Sequence, residues 1–202
     1  MNTAMSPAAS TRRLVLKFWV GLDGNSIDPD TEIYRLMEEI TDDEQEEYFV
    51  NRLKQPGTHL MGRVSFEGMM RHFPTATDPV AEVMNQAEKA VVSSTLRSAG
   101  WAGTTILSGD LAEAIAALKA EPGGDIMAHG GTQLARSLIQ LGLVDEYQLW
   151  VLPAAAGEGA PLFTGLAHPV ALRLVSSTVF PSGILELVYV PAGQQEAPAT
   201  AA

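Results

Sequence analysis

The sequence predicts a three-layer α/β domain with a mostly parallel central sheet and an antiparallel C-terminal edge. Strand and helix patterns alternate along most of the chain, as they do in β-α-β units, whose strands run parallel. Near the C-terminus, two strand patterns are separated only by the short turn at residues 180–183, which can join only antiparallel neighbours. With 46% hydrophobic residues among 202, the chain has enough apolar side chains for one packed core.

The first half of the chain contains three strands and three helices by its apolar pattern. Residues 13–21 are rich in β-branched and aromatic side chains and predict a buried strand. Thr41 and Glu44 match a capping box, so Thr41 is expected to be the N-cap of a helix that runs to Leu53. The remaining elements are then strand 58–61, helix 64–70, helix 80–87 and strand 89–93.

The second half continues the alternation and ends in a hairpin. Asp110 followed by Glu113 predicts the start of another helix, with apolar residues recurring on one helical face. The predicted elements are strand 104–107, this helix, strand 125–128, a helix after Gly131, and strands 144–152, 171–179 and 184–190.

Composition and charge limit the classes of protein and partner. Without cysteine, the chain can form neither disulfides nor thiolate ligands, which fits a cytoplasmic protein. A formal charge of −11 argues against binding nucleic acid through phosphate contacts. We find neither a membrane-spanning pattern nor the apolar core of a signal peptide, so no membrane partner is expected. We predict one domain over residues 12–191, with disordered segments at 1–11 and 192–202.

Three predicted strand ends carry residues that suit a phosphate ligand. They are Gly62, Arg63 and Ser65 at the first, Ser93 and Ser94 at the second, and Gly130, Gly131, Thr132 and Gln133 at the third. Glycine turns let backbone N–H groups approach a phosphate, and a following helix N-terminus adds partial positive charge. Ligands of parallel α/β sheets lie beyond the carboxyl ends of the strands, so these segments together predict a dinucleotide site.

Each of these segments also has a purely structural interpretation. Arg63 could pair with Glu67 one helical turn further on. Ser93 and Ser94 could be ordinary turn residues at the end of a strand, and a Gly-Gly turn can serve a strand–helix connection without any ligand.

Three stretches resemble the dihydrofolate reductase superfamily. LMGRVSFEGM (60–69) is similar to its strand–helix motif, VVSST (91–95) to its strand ending in paired serines, and HGGTQLARSLIQLGLVDEYQLWVLP (129–153) to its Gly-Gly turn, helix and strand. With GEGAPLF (157–163), the last stretch most resembles the reductase domain at the C-terminus of bifunctional riboflavin-pathway deaminase/reductases. The resemblance covers residues 12–191 and implies a dihydrofolate reductase-like fold.

The resemblance implies that the cofactor is NADPH. It places Arg63 at the 2′-phosphate of the adenosine ribose, Ser65 at the pyrophosphate, and Ser93 and Ser94 beside the adenine ribose and its phosphate. It further places Gly130 and Gly131 in a turn against the cofactor, Thr132 and Gln133 with N–H groups toward the pyrophosphate, and the nicotinamide near Val20 and Gly21.

Hydride transfer also needs a proton donor, for which the sequence offers three carboxylates. Glu46 and Glu47 lie on the acidic helix after the first loop, where the alternative is a solvated helix face. Asp23 follows the first strand, where the alternative is a turn-forming role before Gly24. The four histidines show no metal-ligand spacing, so we predict no metal site.

We therefore expect an NADPH-dependent reductase of a small heterocyclic metabolite, resembling 5-amino-6-(5-phosphoribosylamino)uracil reductase. Dihydrofolate reductase is an alternative, although the chain lacks that family's Pro-Trp pair and has no arginine between Phe73 and Lys89 to hold the folate glutamate. A non-catalytic NADPH-binding sensor or interaction domain is another alternative. The resemblance also implies a homodimer, with the C-terminal strands as candidate interface.

Overall fold

The computed structural model describes residues 12–29, 31–129, 131–157 and 159–193. The predicted segment 1–11 lies outside these ranges, as do residues 194–202 of the predicted C-terminal segment. Ala192 still donates its N–H to the carbonyl of Ala171 at 2.9 Å.

Eight strands and six helices alternate along the described chain. The strands are β1 (Leu14–Val20), β2 (Thr58–Gly62), β3 (Lys89–Val92), β4 (Thr104–Leu107), β5 (Ile126–His129), β6 (Glu146–Val151), β7 (Leu172–Val179) and β8 (Leu185–Pro191). The helices are α1 (Glu32–Ile40), α2 (Asp43–Leu53), α3 (Arg63–His72), α4 (Pro79–Gln86), α5 (Leu111–Ala120) and α6 (Thr132–Gln140). Within the described ranges, no helix is long and apolar enough to cross a membrane.

The strands form one sheet in the order β4-β3-β2-β5-β1-β6-β8-β7. The first six strands of this order are parallel, whereas β8 pairs antiparallel with both β6 and β7. The prediction of a mostly parallel sheet with an antiparallel C-terminal edge is therefore confirmed. The central strands β5, β1 and β2 come from distant parts of the chain, so the carboxyl ends of distant segments meet at one edge.

One face of the sheet packs an apolar core against α5 and α6. Leu14, Leu16 and Phe18 of β1 alternate onto this face and join Leu134 and Leu138 of α6 in one buried cluster. Burial of such side chains stabilises the fold by about 1.5–3 kcal/mol each.

The opposite face, under α1 to α4, combines aromatic and polar side chains. Two apolar clusters lie here, one centred on Phe66 and Trp101 and one on Trp150 and Phe180. Between them the sheet also buries charged and polar groups, which are Lys17, His59, Lys89, His129, Gln148 and Glu186. A buried polar group is costly unless it has a partner, so these residues mark the face where function should be sought.

The region before α2 differs from the sequence prediction. Residues 32–40 form a helix that the prediction missed, capped by Thr31, whose hydroxyl accepts from the Tyr34 N–H. Thr41 ends this helix by donating to the Met37 carbonyl, so it cannot cap α2. The N-cap of α2 is Asp42, whose carboxylate accepts from the Gln45 N–H at 2.8 Å.

Candidate active site

A cleft of about 460 Å³ lies where β2, β3, β4 and β5 end. We call it the strand-end cleft. Residues from all three predicted phosphate segments line it, namely Gly62, Arg63, Ser65, Ser93, Ser94, Gly131 and Gln133. The sheet order places β2 between β3 and β5, which brings these distant segments together.

Two helix N-termini open into the strand-end cleft. Helix α3 begins after Gly62 and α6 begins after Gly131, and neither glycine has a side chain to accept from the first-turn N–H groups. The first-turn N–H groups of α3 and α6 and the dipoles of both helices therefore favour an anion, such as a pyrophosphate, in the strand-end cleft.

Gly131 is required by its conformation and by its neighbour. Its φ is +76°, a region that other residues adopt only with strain. A Cβ at this position would lie 2.8 Å from the Ser65 hydroxyl oxygen. The turns after β2 and β5 therefore approach each other closely, which fits a dinucleotide phosphate.

Two side chains that line the cleft, Arg63 and Ser93, also make the purely structural contacts that the sequence allowed as alternatives to ligand binding. Arg63 donates to the Glu67 carboxylate at 3.0 Å while it lines the cleft. The Ser93 hydroxyl oxygen accepts from the N–H groups of Thr95 and Leu96 at 3.2 and 2.9 Å, which shapes the turn after β3. The Ser93 O–H proton and the exposed Ser94 hydroxyl remain available to a ligand.

A second cavity, of about 490 Å³, lies on the helix-covered face of the sheet. We call it the sheet-face cavity. Lys17, Trp19 and His129 contribute from the sheet, and side chains of α1 to α4 contribute the walls. His129 lines this cavity and Gly131 lines the strand-end cleft, so the two spaces lie on either side of the turn after β5.

Lys17 is a buried ammonium group with an unusual environment. Its Nζ lies 4.1 Å from the ring centroid of Phe49 and has no hydrogen-bond partner among the described residues. Burial lowers the pKa of Lys17 to about 7. The group can therefore hold or release a proton near neutral pH, at the wall of a cavity.

His59 and His129 form a buried pair beside Lys17. The His59 Nδ1 and His129 Nε2 atoms are 2.5 Å apart, so one ring donates to the other. Burial lowers the pKa of His59 to about 4, and burial with the nearby Lys17 charge lowers the pKa of His129 well below its usual value. Both rings are therefore neutral at pH 7, and Lys17 is the member of this group that gains or loses its proton near neutral pH.

The family model described as the RibD C-terminal domain matches residues 12–185. The chain belongs to the RibD C-terminal domain family. Members of this family are reductases.

Similar proteins agree with this RibD C-terminal domain assignment. The uncharacterized protein YyaP of Bacillus subtilis (strain 168) is 34% identical over 146 residues, which cover 70% of this chain and 77% of YyaP. A crystal structure of a Shewanella sp. PV-4 protein provisionally assigned to riboflavin biosynthesis superposes with a TM-score of 0.73, at 18% identity, over 89% of this chain and 98% of that one.

The fold is also that of dihydrofolate reductases, as the sequence predicted. The Enterococcus faecalis dihydrofolate reductase complexed with NADP(H) superposes with a TM-score of 0.59, at 16% identity, over 89% of this chain and 96% of that chain. This chain thus shares its central sheet and the helical layers on both faces with that enzyme.

Three of the predicted cofactor residues are not among those lining the strand-end cleft. The Val20 side chain joins the apolar core on the opposite face, because it alternates with Trp19 along β1. Thr132 begins α6 but is not among the lining residues, and Gly130 lies outside the described residues. The nicotinamide position near Val20 and Gly21 stays a prediction.

The predicted acids differ in position. Glu46 lines the sheet-face cavity, whereas Glu47 is exposed and lines neither space. Asp23 also lines neither. It accepts from the Gly157 N–H at 2.8 Å and from the Asn25 N–H, and these bonds lower its pKa, the one to Gly157 most. This geometry favours the turn-forming alternative for Asp23.

Sequence reasoning missed Lys17 and the contact between the two buried histidines. The four histidines look scattered along the chain, but β2 and β5 are neighbours in the sheet and bring His59 against His129. It also missed Ser108 and Gly109, which follow β4 and line the strand-end cleft. The signal that could have indicated them is the presence of small residues directly after a fourth strand, as at the other three strand ends.

Proposed function

We propose that this chain is an NADPH-dependent reductase of a small heterocyclic metabolite, similar to the pyrimidine reductase of riboflavin biosynthesis. The observation that carries the proposal is the position of two spaces on either side of the turn after β5, one with helix N-termini and one with Lys17. The first suits the cofactor and the second suits the substrate. A cytoplasmic location, where NADPH is made and used, belongs to the same proposal.

The strand-end cleft would hold the phosphates of NADPH. The uncapped N-termini of α3 and α6 would donate to the pyrophosphate, with Ser65 and Gln133 beside them. Arg63 and Ser94 would hold the 2′-phosphate, since a guanidinium recognises phosphate oxygens with paired donors. The E. faecalis dihydrofolate reductase that shares this fold is itself complexed with NADP(H).

Lys17 would supply the proton of the reduction. NADPH, when bound, supplies the hydride to a substrate carbon in a C=N or C=O bond. Lys17 then gives its proton to the nitrogen or oxygen of that bond and is reprotonated from solvent. A pKa near the working pH suits such a donor, and the histidine pair beside it is neutral.

The test of the proposal is NADPH oxidation with a panel of heterocyclic substrates. A reductase consumes NADPH only when a substrate is added, whereas a sensor binds NADPH and consumes none. If NADPH fails to raise the thermal midpoint of the protein, neither function stands.

Replacing Arg63 by Ala should weaken NADPH binding by roughly 10- to 100-fold and NADH binding by less than about threefold. A charge-assisted bond to the 2′-phosphate is lost in the first case and is absent in the second. Titration calorimetry with both cofactors measures the difference. Arg71→Ala is the matched control, because Arg71 lies on the same helix but outside the cleft. Equal weakening of both cofactors would remove the 2′-phosphate role.

We further propose that the chain forms a homodimer through β7. This strand is at the edge of the sheet and exposes Leu174, Val175 and Val179. Such an exposed apolar edge promotes pairing with another chain. Val175→Lys should shift the protein from dimer to monomer in sedimentation equilibrium. Leu22→Lys, at another exposed apolar residue away from β7, should leave the mass unchanged. A monomeric wild-type protein contradicts the proposal.

A further inference from the structure

We infer that the sheet-face cavity selects an uncharged ring compound that carries no phosphate or carboxylate group. This inference rests on the proposed function and specifies its substrate class. It separates this chain from an enzyme that reduces a phosphoribosyl compound or a folate, whose substrates bring anionic groups into the same space.

The charges that line the sheet-face cavity oppose an anion. Its carboxylates are Glu38, Glu46 and Asp78, and its only lysine or arginine is Lys17. All 13 lysines and arginines of the chain lie in the described ranges, so the comparison with the cavity lining includes every one of them. Lys17 is buried against Phe49 at the floor, where it can meet the reacting bond but is not available to a distant phosphate as well.

The helix N-termini on this side are already occupied by the chain's own side chains. Asp78 caps α4 by accepting from the Ala81 N–H at 2.9 Å, and Asp42 caps α2 in the same way. In the strand-end cleft the corresponding positions are Gly62 and Gly131. The N-termini of α3 and α6 are therefore open to phosphates in the strand-end cleft, whereas those of α2 and α4 are closed by carboxylates.

The remaining walls suit a flat apolar ring. Trp19 and Phe49 lie together with ring centroids 5.9 Å apart, and Met37, Met69 and Phe73 are among the other apolar residues of the lining. Aromatic faces favour stacking with a planar ring, and methionine side chains adapt to its outline.

Two exposed arginines neighbour the lining residues in sequence. Arg35 is on α1 and Arg71 is on α3, but neither lines the cavity. If Arg35 or Arg71 turned into the cavity to hold a phosphate, the phosphorylated ligand would bind at least as tightly as its uncharged counterpart.

The experiment compares matched ligand pairs that differ only in an anionic group. One pair is 5-amino-6-ribosylaminouracil and its 5′-phosphate, and the other is dihydrofolate dimethyl ester and dihydrofolate. Binding to the protein saturated with NADP⁺ is measured by calorimetry, and kcat/KM by NADPH oxidation. We expect the uncharged member of at least one pair to bind at least tenfold tighter and to have the higher kcat/KM. Tighter binding of the charged members, or no binding of any uncharged ring, overturns the inference.

A charge reversal at the rim of the cavity tests the cause. Glu38→Arg should raise kcat/KM for the phosphorylated ligand by about tenfold, since it replaces a repelling charge by an attracting one. Glu39→Arg changes the same charge on the same helix outside the lining and should have little effect. Equal effects of the two variants would contradict the role assigned to the cavity lining.

Failure of the proposed function has a different signature. If NADP⁺ itself does not bind, the cofactor assignment is wrong. If NADP⁺ binds and the charged ligands are preferred, the reductase proposal stands and only the substrate class is wrong.

Discussion

Replacing Lys17 by Met is expected to lower kcat by about 10²- to 10⁴-fold, the usual contribution of a positioned general acid. Lys17 lines the sheet-face cavity without a hydrogen-bond partner among the described residues, so its proton is free to move to a substrate. With a pKa of about 7, the wild-type kcat should fall as the pH rises above 7, and the variant should lose this dependence. Steady-state kinetics from pH 6 to 9 measures both effects.

The same substitution should raise the thermal midpoint. The pKa of Lys17 is lower in the folded protein than in the unfolded chain, so burial of the charge costs stability, on the order of a few kcal/mol, at and below about pH 7. As the pH rises from about 7 toward 10.5, the unfolded chain holds a proton that the folded protein has released, so wild-type stability increases over this interval. The Lys17→Met variant should lack this increase, which thermal unfolding at pH 7 and pH 10 detects.

Two further variants separate the proton from the charge. Lys17→Arg keeps a cation that does not release its proton in proteins, so its kcat should fall as far as that of Lys17→Met. Glu46→Gln should keep kcat within about threefold, because Glu46 is then only a rim residue of the cavity. A Lys17→Met enzyme with wild-type kcat, together with an inactive Glu46→Gln enzyme, would transfer the acid role to Glu46.

The architecture and one half of the candidate site could be predicted from local sequence. Alternating strands and helices predict the parallel sheet, and glycines directly after strands indicate where the chain can approach a phosphate. Asp110 is the N-cap of α5 as predicted, with its carboxylate accepting from the Glu113 N–H at 3.0 Å. Such signals are local, because each depends on residues only a few positions apart.

The other half of the site depends on strand order, which local patterns do not contain. His59 and His129 are 70 positions apart and meet only because β5 inserts between β1 and β2. Lys17 was overlooked because it is one polar residue in an apolar strand. Lys89 occupies a similar place but donates to the carbonyls of Met84 and Ala87, so a buried lysine in a strand is not by itself a functional signal.

Replacing Arg52 by Met is expected to cost about 3–5 kcal/mol of unfolding free energy, because it leaves a buried carboxylate without its cation. Glu186 of β8 is 1% exposed and accepts from Arg52 at 3.0 and 3.1 Å and from the Tyr48 hydroxyl at 2.6 Å. Both donors belong to α2, the helix that contributes Gln45 and Phe49 to the sheet-face cavity. The ion pair therefore fastens a wall of the cavity to the sheet, and its loss should also raise KM for the substrate.

The cost should come from the unpaired charge and not from the missing contact itself. Replacing Arg52 and Glu186 together by Met should recover most of the stability, since apolar residues of similar volume can substitute for a buried ion pair. Arg63→Met is the matched control: it breaks an arginine–glutamate pair that is partly exposed, 44% and 33% for the two side chains, and should cost less than about 1 kcal/mol. Urea unfolding of the four proteins measures these differences. An Arg52→Met cost no greater than that of Arg63→Met would show that the contact between α2 and β8 does not depend on this pair.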